Sequence, residues 1–285
     1  MWNEELNAHM TSEGFTTMPK DSVMYVKNSW TDHDFAAAGF WVDDCVAIGS
    51  RKVLTALVKS VDAKYGTTGL GEVRWVLSML MEHDRPARSI SVSQEAFIDS
   101  VLTRFNLTNA ATVSTPLAPG AHLSATDCPT TDDEKEMGNR PYRELAGALS
   151  WLALGTRPDI AFALARFGHN PGRVHWETAK RVLRYLKGTK AWRLTLGEKT
   201  PQVAAYTDAD WGSHSDDRRS IGAYIIKIGD GAVSWKLKKQ TCVALSSTEA
   251  EYMALCYLIT NPCSMLSFPA PQSWRSVVPS TLYSI

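Results

Sequence analysis

Residues 39–48 read GFWVDDCVAI, and this stretch decides how the first part of the chain folds. Two apolar, strand-forming runs flank the acidic pair Asp43-Asp44, which is the pattern of a tight β-hairpin. Adjacent side chains of a flat strand point to opposite faces, so neighbouring carboxylates converge only where the backbone turns sharply. The sequence therefore predicts a hairpin with strands at residues 40–42 and 45–48 and with both aspartates at its tip.

The pair Asp43-Asp44 has two interpretations at this point. Carboxylates at a hairpin tip can hold divalent ions, and two such ions about 4 Å apart activate a hydroxyl for phosphoryl transfer. Aspartate is also a common turn residue, because its side chain bonds the local backbone. Spacing alone leaves both interpretations open.

Outward from the hairpin, hydrophobic spacing predicts an α+β protein. Predicted helices occupy residues 51–65, 94–105, 142–154, 158–167 and 175–186, with another starting near Ser246. Predicted strands occupy residues 74–81, 203–206, 221–228 and 232–237, with a turn at 229–231. Residues 109–141 are rich in Thr, Ala, Pro, Ser and Asp, which indicates a long connection and a domain boundary. Residues 261–285 show no period, and no structure is assigned to them.

Composition favours a globular protein, because 44% of the 285 residues are hydrophobic and 21% are charged. The five cysteines include no C-x-x-C pair, so neither a zinc site nor a disulfide framework is predicted. The chain has no secretory signal pattern and no apolar run of membrane-spanning length. We therefore expect a soluble cytoplasmic or nuclear protein without a membrane partner.

The net charge of zero conceals a separation of acidic and basic segments. Residues 1–50 hold eight acidic and two basic residues, whereas residues 166–193 hold eight basic residues and one acidic residue. Acidic segments can hold divalent cations and basic segments can hold phosphates, so the separation fits a metal-dependent nucleic-acid enzyme. It also fits two ordinary solvated faces.

A basic face is predicted on the helix near residues 175–186. Lys180, Arg184 and Lys187 recur at intervals of four and three residues, which brings them to one side of a helix. That side either lies along a nucleic-acid backbone or is a solvated surface. Further basic residues that would bind phosphates lie in the last third of the chain, namely Arg218, Arg219, Lys236, Lys238 and Lys239.

A second group of acidic residues is Asp208 and Asp210, in the sequence YTDADW. On a strand these two side chains project from one face, so both can meet one cation. Downstream, residues 246–251 read SSTEAE and open a helix. Glu249 and Glu251 each follow a hydroxyl residue by three positions, so either one fits a capping box. Spacing does not decide which glutamate is left for chemistry.

Several blocks of the sequence resemble copia-type retrotransposon Pol polyproteins. Residues 39–49 resemble the catalytic Val-Asp-Asp hairpin of their reverse transcriptases, and the TDADW and SSTEAE blocks resemble their RNase H domain. The other blocks follow in the family's order: LGE at 70–72, the stretch 75–81, STPL at 114–117, YRE at 142–144, TRPDIA at 156–161, HW at 175–176 and AKRVLRYLKGT at 179–189. The resemblance spans about residues 1–260.

The resemblance implies a truncated fragment in which the back of a reverse transcriptase is joined to the front of an RNase H domain. The implied α+β arrangement is a partial palm with following helices at 1–108, a connection loop at 109–141, a helical thumb or connection at 142–200, a truncated RNase H-like domain at 201–260 and an unassigned tail at 261–285. Mg²⁺ or Mn²⁺ is the implied cofactor. The implied partners are RNA, DNA, RNA–DNA hybrids and the remaining Pol segments.

The same resemblance gives roles to the acidic residues. Asp43 and Asp44 would be the catalytic pair of the polymerase. Asp208 would be the first metal-binding aspartate of RNase H, and Glu251 its helix glutamate. Asp210 would be a neighbour at the same metal site.

Three positions depart from the family pattern. Trp41 stands where tyrosine is usual, which keeps an aromatic ring but changes its polar end. Ser78 replaces a glycine expected in the strand that supports the primer end, and its Cβ hinders a close backbone approach there. Ala223 also stands where glycine is usual, at a small expected cost.

Parts of both implied active sites have no counterpart in the sequence. The polymerase pair needs a third aspartate on an earlier strand, yet the 42 residues before Asp43 match nothing in that motif. The RNase H fold continues with a strand that carries another aspartate, yet no Asp or Glu occurs between Tyr252 and Ile285. The leading hypothesis is therefore a catalytically incomplete element fragment. The alternative is a non-catalytic nucleic-acid-binding protein derived from the element.

Overall fold

A computed structural model describes most of the chain. The described residues are 2–19, 21–28, 33–42, 44–66, 71–121, 127–128, 137–138, 140–165, 171–197, 202–213, 216–260 and 282–284. The chain forms two compact units, the first built on residues 1–77 and the second on residues 78–261. This division precedes the predicted connection at 109–141, and each unit is described by itself.

The first unit is an antiparallel sheet with two helices. Its elements are α1 (Trp2–Ser12), β1 (Thr16–Met18), β2 (Asp21–Lys27), β3 (Ala36–Trp41), β4 (Asp44–Gly49), α2 (Arg51–Tyr65) and the short strand β5 (Trp75–Val76). Strands β1 to β4 lie in sequence order, each antiparallel to the next. Alternate residues of β3, namely Ala36, Ala38 and Phe40, are buried in one cluster with apolar residues of α1 and α2. This cluster holds the β3–β4 hairpin in place.

Helix α2 begins and ends where the sequence predicts. The Ser50 hydroxyl accepts a hydrogen bond from the Val53 N–H at 3.5 Å, which caps the first turn. Gly66 follows the last residue at φ +65°, a left-handed backbone that glycine adopts without a Cβ clash. Hydrophobic spacing predicted this helix, and the caps at both ends explain why it has these bounds.

The predicted hairpin forms, but its strand bounds are wrong: β3 starts four residues earlier and ends one residue earlier than predicted, and β4 is one residue longer at each end. β3 ends at Trp41 and β4 begins at Asp44, and these two residues pair with each other. Val42 therefore lies outside the strand in which it was predicted, with φ at +48°. Asp43 lies outside the described residues. A tight turn requires unusual backbone angles, and hydrophobic patterning does not reveal at which residue they begin.

The predicted strand at 74–81 is also wrong, because it is interrupted. Leu77 and Ser78 have φ values of +48° and +64° and separate β5 from β6 (Met79–Asp84). Successive positive φ values are typical of a type I′ turn, for which glycine is favoured at the second position. Ser78 is the residue that stands where the family has glycine, so the expected glycine belongs to a turn rather than to a strand.

The second unit contains a helical cluster. Its helices are α3 (Glu95–Arg104), α4 (Tyr142–Gly155), a 3-10 turn (Pro158–Ile160) that continues into α5 (Ala161–Leu164), and α6 (Arg173–Gly188). Their shared core includes Ile98, Leu102, Leu145, Leu149, Leu152, Ile160, Val182, Leu183 and Leu186. The predicted helices at 94–105, 142–154 and 175–186 are confirmed. The one predicted at 158–167 is shorter and starts as a 3-10 turn, and residues 166–167 lie outside the described part.

Two sheets complete the second unit. In one, β6, β7 (Ser89–Ser93) and β8 (Leu194–Leu196) are antiparallel neighbours. The other consists of β9 (Val203–Ala209), β10 (Ile221–Ile228), β11 (Gly231–Lys239) and β12 (Leu282–Ser284), in the order β11-β10-β9-β12. Helix α7 (Ser247–Thr260) packs on β9 and β10. The three antiparallel strands and α7 confirm the predicted segments, with β9 extending three residues further than expected.

Strand β12 lies in a region for which the sequence gives no prediction. It pairs in parallel with β9, where Leu282, Tyr283 and Ser284 face Ala205, Tyr206 and Thr207 along the ladder. Three residues are too few to show an alternating pattern, so this strand exists only through its pairing with β9. The α+β class is confirmed, and in the described parts of the chain no helix is long and apolar enough to cross a membrane.

Candidate metal and nucleic-acid sites

The β3–β4 hairpin presents Asp44 at its end. Asp44 is the first residue of β4 and is exposed, and the neighbouring Val42 is 81% exposed. Trp41, which pairs with Asp44, is 43% exposed. The tip of the hairpin therefore carries one exposed carboxylate among the residues that the structure describes, while its predicted partner Asp43 falls outside them.

Asp208 lies near the end of β9 and is exposed. Ala205 is buried in the cluster that includes Leu258 of α7, so alternation directs Asp208 to the sheet face away from that helix. There it borders a cavity of about 180 Å³. Apolar and aromatic residues dominate the rest of the cavity wall, including Pro158, Ala161, Tyr206, Ala223, Trp235 and Leu237.

Asp210 lies one residue beyond β9, and its carboxylate is engaged by the protein. Its Oδ1 accepts a hydrogen bond from the Ile221 N–H at 2.6 Å, and Oδ2 accepts one from the Ser213 hydroxyl. The Asp210 N–H also donates to the Ile221 carbonyl at 3.2 Å. These bonds join the end of β9 to the start of β10, so the surroundings of Asp210 differ from those of Asp208.

The start of α7 distinguishes its two glutamates. The Glu249 N–H donates to the Ser246 hydroxyl at 3.1 Å, and Glu249 Oε2 accepts from the Leu245 N–H at 2.6 Å. Glu249 therefore caps the helix, as one of the two interpretations of the sequence proposed. Glu251 is half-buried, on the helix that packs against the face opposite Asp208. Within the described residues, no group of three or more His, Cys, Asp or Glu side chains could hold a metal ion.

The basic face of α6 contacts the predicted connection. Lys187 Nζ donates to the Ala110 carbonyl at 2.8 Å, and Arg184 Nε donates to the Ala111 carbonyl at 2.7 Å. Lys180 forms an ion pair with Glu177 at 2.8 Å. Two of the three predicted phosphate-binding side chains thus hold a neighbouring segment of the chain, and the third is paired within its own helix.

The other predicted cations lie around the second sheet. Lys239 Nζ is 2.7 Å from a carboxylate oxygen of Asp217, and Arg219 Nε is 3.6 Å from the same oxygen. Lys238 lies over the Tyr257 ring at 5.7 Å. Lys236 and Arg218 are both exposed.

Comparison with known proteins places the chain among mobile-element polyproteins. The profile of the reverse transcriptase (RNA-dependent DNA polymerase) family matches residues 1–119. The retrovirus-related Pol polyprotein from transposon TNT 1-94 of Nicotiana tabacum is 40% identical over 258 residues, 89% of this chain and 19% of that protein. The Pol polyprotein from transposon RE1 of Arabidopsis thaliana is 32% identical over 259 residues, 89% of this chain and 17% of that protein. An uncharacterised mitochondrial protein of Arabidopsis thaliana is 30% identical over 220 residues, 75% of this chain and 88% of that protein.

The chain belongs to the copia-type retrotransposon Pol family. It spans about a fifth of the length of the two Pol polyproteins. The reverse transcriptase profile includes Asp44 and ends before Asp208. Reverse transcriptases as a family use divalent metal ions and nucleic-acid substrates.

One buried group in this copia-type chain was not singled out from its sequence. Arg157 is 2% exposed and forms a two-pronged ion pair with Asp159, at 2.9 and 2.7 Å. Its guanidinium also donates to the Thr189 carbonyl and hydroxyl, at 3.2 and 2.6 Å, and the Tyr185 hydroxyl donates to Asp159. The arginine and aspartate of the TRPDIA block, two residues apart, were the available signal.

Proposed function

We propose that the chain binds RNA–DNA hybrids and DNA duplexes as a reverse transcriptase and RNase H segment of a copia-type Pol polyprotein, and that it completes neither reaction alone. The supporting observation is the position of β12. The resemblance to RNase H implies a strand after the glutamate helix that carries a further aspartate. β12 follows α7 and lies beside β9, but it contains Leu282, Tyr283 and Ser284.

The RNase H half offers two carboxylates for a divalent ion. Asp208 and Glu251 are the candidate ligands, and oxygen donors of this kind suit Mg²⁺ or Mn²⁺. When bound, such an ion would supply positive charge and activate a water for attack on phosphorus. Asp210 already accepts two hydrogen bonds, and no acidic residue follows Glu251 in the sequence. Because Asp208 lies on the sheet face away from α7 and Glu251 lies on α7 itself, the two carboxylates do not fit one shared ion, and either one alone fits only weak binding of a water-rich ion.

The polymerase half offers the hairpin. Asp44 stands exposed at its end, and we propose Asp43 and Asp44 as the metal-facing pair of this half. Two-metal catalysis depends on charge compensation and positioning that two adjacent acids do not supply alone. We expect no primer extension on a primed RNA template with magnesium or manganese. Templated extension that disappears in Asp43→Asn would overturn this expectation.

Basic side chains of the second unit supply the charge that faces phosphates in this proposal. Lys236 and Lys238 are two residues apart on β11, so their side chains project from the same face, and both are exposed. Arg219 and Lys239 share one partner, Asp217, so a single negative charge compensates only part of their combined positive charge. Lys180, Arg184 and Lys187 contribute mainly through their field, because each already has a partner within the protein.

Fluorescence anisotropy of a labelled RNA–DNA hybrid, measured over a range of salt concentrations, tests this binding. Affinity should fall as salt rises. In a plot of the logarithm of the binding constant against the logarithm of the salt concentration, each phosphate contact should add about 0.9 to the steepness of the slope. The double variant Lys236→Ala/Lys238→Ala should reduce that slope by roughly 1 to 2. Lys59→Ala, which removes an exposed lysine from α2, is the control and should leave the slope unchanged. The absence of hybrid binding by the parent chain would contradict the proposal.

A further inference from the structure

The turn after β9 holds an exposed tryptophan in a fixed position. Trp211 is 57% exposed, and its indole N–H donates to the Ala244 carbonyl at 3.2 Å. Asp210 on one side is bonded to Ile221, and the Gly212 N–H on the other donates to the Ser220 hydroxyl at 3.1 Å. The backbone on both sides and the polar edge of the ring are therefore anchored, while much of the ring remains in solvent.

The surroundings of Trp211 combine apolar surface with one cation. Val243 and Leu245, which flank the anchoring Ala244, are 48% and 87% exposed. The Arg218 guanidinium lies close to the turn, because a Cβ on Gly212 would be only 3.6 Å from its Nη2. Arg218 is exposed and has no ion pair among the residues that the structure describes.

We infer that Trp211 and Arg218 form a binding site for one nucleic-acid strand, in which the indole stacks on a base and the guanidinium binds an adjacent phosphate. This inference rests on the proposed function and names the contact that would place a strand beside Asp208. Aromatic rings that are exposed and held rigidly stack on bases of any sequence, and a nearby arginine adds charge. A purely apolar protein partner would leave the Arg218 charge without a counterpart.

The nearby carboxylates do not prevent this contact. Asp210 accepts hydrogen bonds from an amide and a hydroxyl, which offset part of its negative charge. Asp208 is three residues before Trp211 and is the proposed ligand of a divalent ion, which would compensate its charge. A strand that stacks on Trp211 would thus pass the proposed metal site with its phosphates towards cations.

Anisotropy titrations with a fluorescein-labelled single strand of about 12 nucleotides, and with an RNA–DNA hybrid, test the site. Trp211→Ala should weaken single-strand binding by about 5- to 150-fold without changing the salt slope. Trp211→Phe loses the bond to Ala244 but keeps a ring, so it should bind within about threefold of the parent. Arg218→Ala should lower the salt slope by about 0.7. Trp2→Ala, a 46% exposed indole in the first unit, is the control.

The possible results separate this inference from the proposed function. If the parent binds both probes and Trp211→Ala binds equally well, the inference is wrong while the proposed function stands. If Trp211→Phe is as weak as Trp211→Ala, the anchoring bond rather than stacking matters, and the inference is again wrong. If the parent binds neither probe, the proposed function and the inference both fail.

Discussion

Arg157 carries a buried charge that contacts the 3-10 turn after α4, α6 and the residues just after α6. It bonds Asp159 and Thr189, and its guanidinium lies over the Tyr185 and Trp192 rings at 5.5 and 5.4 Å. These contacts join the 3-10 turn after α4 to the end of α6. A planar guanidinium can stack and form several directed bonds at once, whereas a lysine ammonium cannot. The residue type is therefore as important as the charge.

Replacing Arg157 with methionine should destabilise the chain by about 2 to 4 kcal/mol, because it leaves Asp159 partly buried without its counter-charge. Arg157→Lys should recover little of that loss. Urea unfolding measures both changes, and Arg173→Ala, at an exposed position of α6, is the control. A lysine variant as stable as the parent would show that only the charge matters.

Ser78 has a backbone conformation that favours glycine over serine. Its φ of +64° places its Cβ close to the backbone, a cost that glycine avoids. Ser78→Gly should raise the free energy of unfolding by about 0.5 to 1 kcal/mol, measured by urea titration. Ser78→Ala retains the Cβ and should show no such gain. Equal stability of the two variants would argue against a strained turn.

At the scale of elements, α6 has a histidine within its first turn that acts as an acceptor. His175 Nδ1 accepts from the Gly172 N–H at 3.1 Å, and the side chain is 2% exposed. Burial lowers the pKa of His175 below its usual 6.5, while nearby Asp127 opposes this effect. Protonation removes the acceptor and places a charge in a buried site.

The sign of the resulting pH dependence follows from the lowered pKa. Between the folded pKa of His175 and 6.5 the unfolded chain binds more protons, so stability falls as pH falls below 6.5. The contribution of neutral His175 to stability is fully present above pH 6.5. Melting temperatures from pH 8 down to about 5 should show a steeper decline in the parent than in His175→Gln. His83→Gln, at an exposed position, should follow the parent, and parallel curves for all three proteins would contradict the assignment.

Elements with strong local signals were predictable, and those that depend on distant partners were not. Helix α2 and strand β10 have the predicted bounds, because periodicity and flanking turn residues specify them. β12 depends on pairing with β9, far away in sequence. For the sites, the motifs singled out Asp208 and Glu251, whose roles stay predictions. They did not reveal that Asp210 bonds across a turn, or that cations of α6 hold a segment more than 70 residues earlier.

Across the whole molecule, basic residues that cluster in one segment of the sequence form hydrogen bonds and ion pairs within the protein. The basic segment at 166–193 uses several of its cations to hold the connection and α3, where Lys190 Nζ lies 3.0 Å from Asp99. Charge counts along the sequence therefore overstate the positive surface that is available to phosphates. The cations around the second sheet, Arg218 above all, become the stronger candidates for nucleic-acid contact.

We propose that this copia-type Pol segment holds an RNA–DNA hybrid without cutting it. A single time course tests it most directly, with a hybrid labelled at the end of its RNA strand and followed by anisotropy in magnesium or manganese. We expect the anisotropy to rise when the chain is added and then to stay constant. No rise would contradict binding. A rise followed by decay below the starting value, abolished in both Asp208→Asn and Glu251→Gln, would show that the chain is an active ribonuclease.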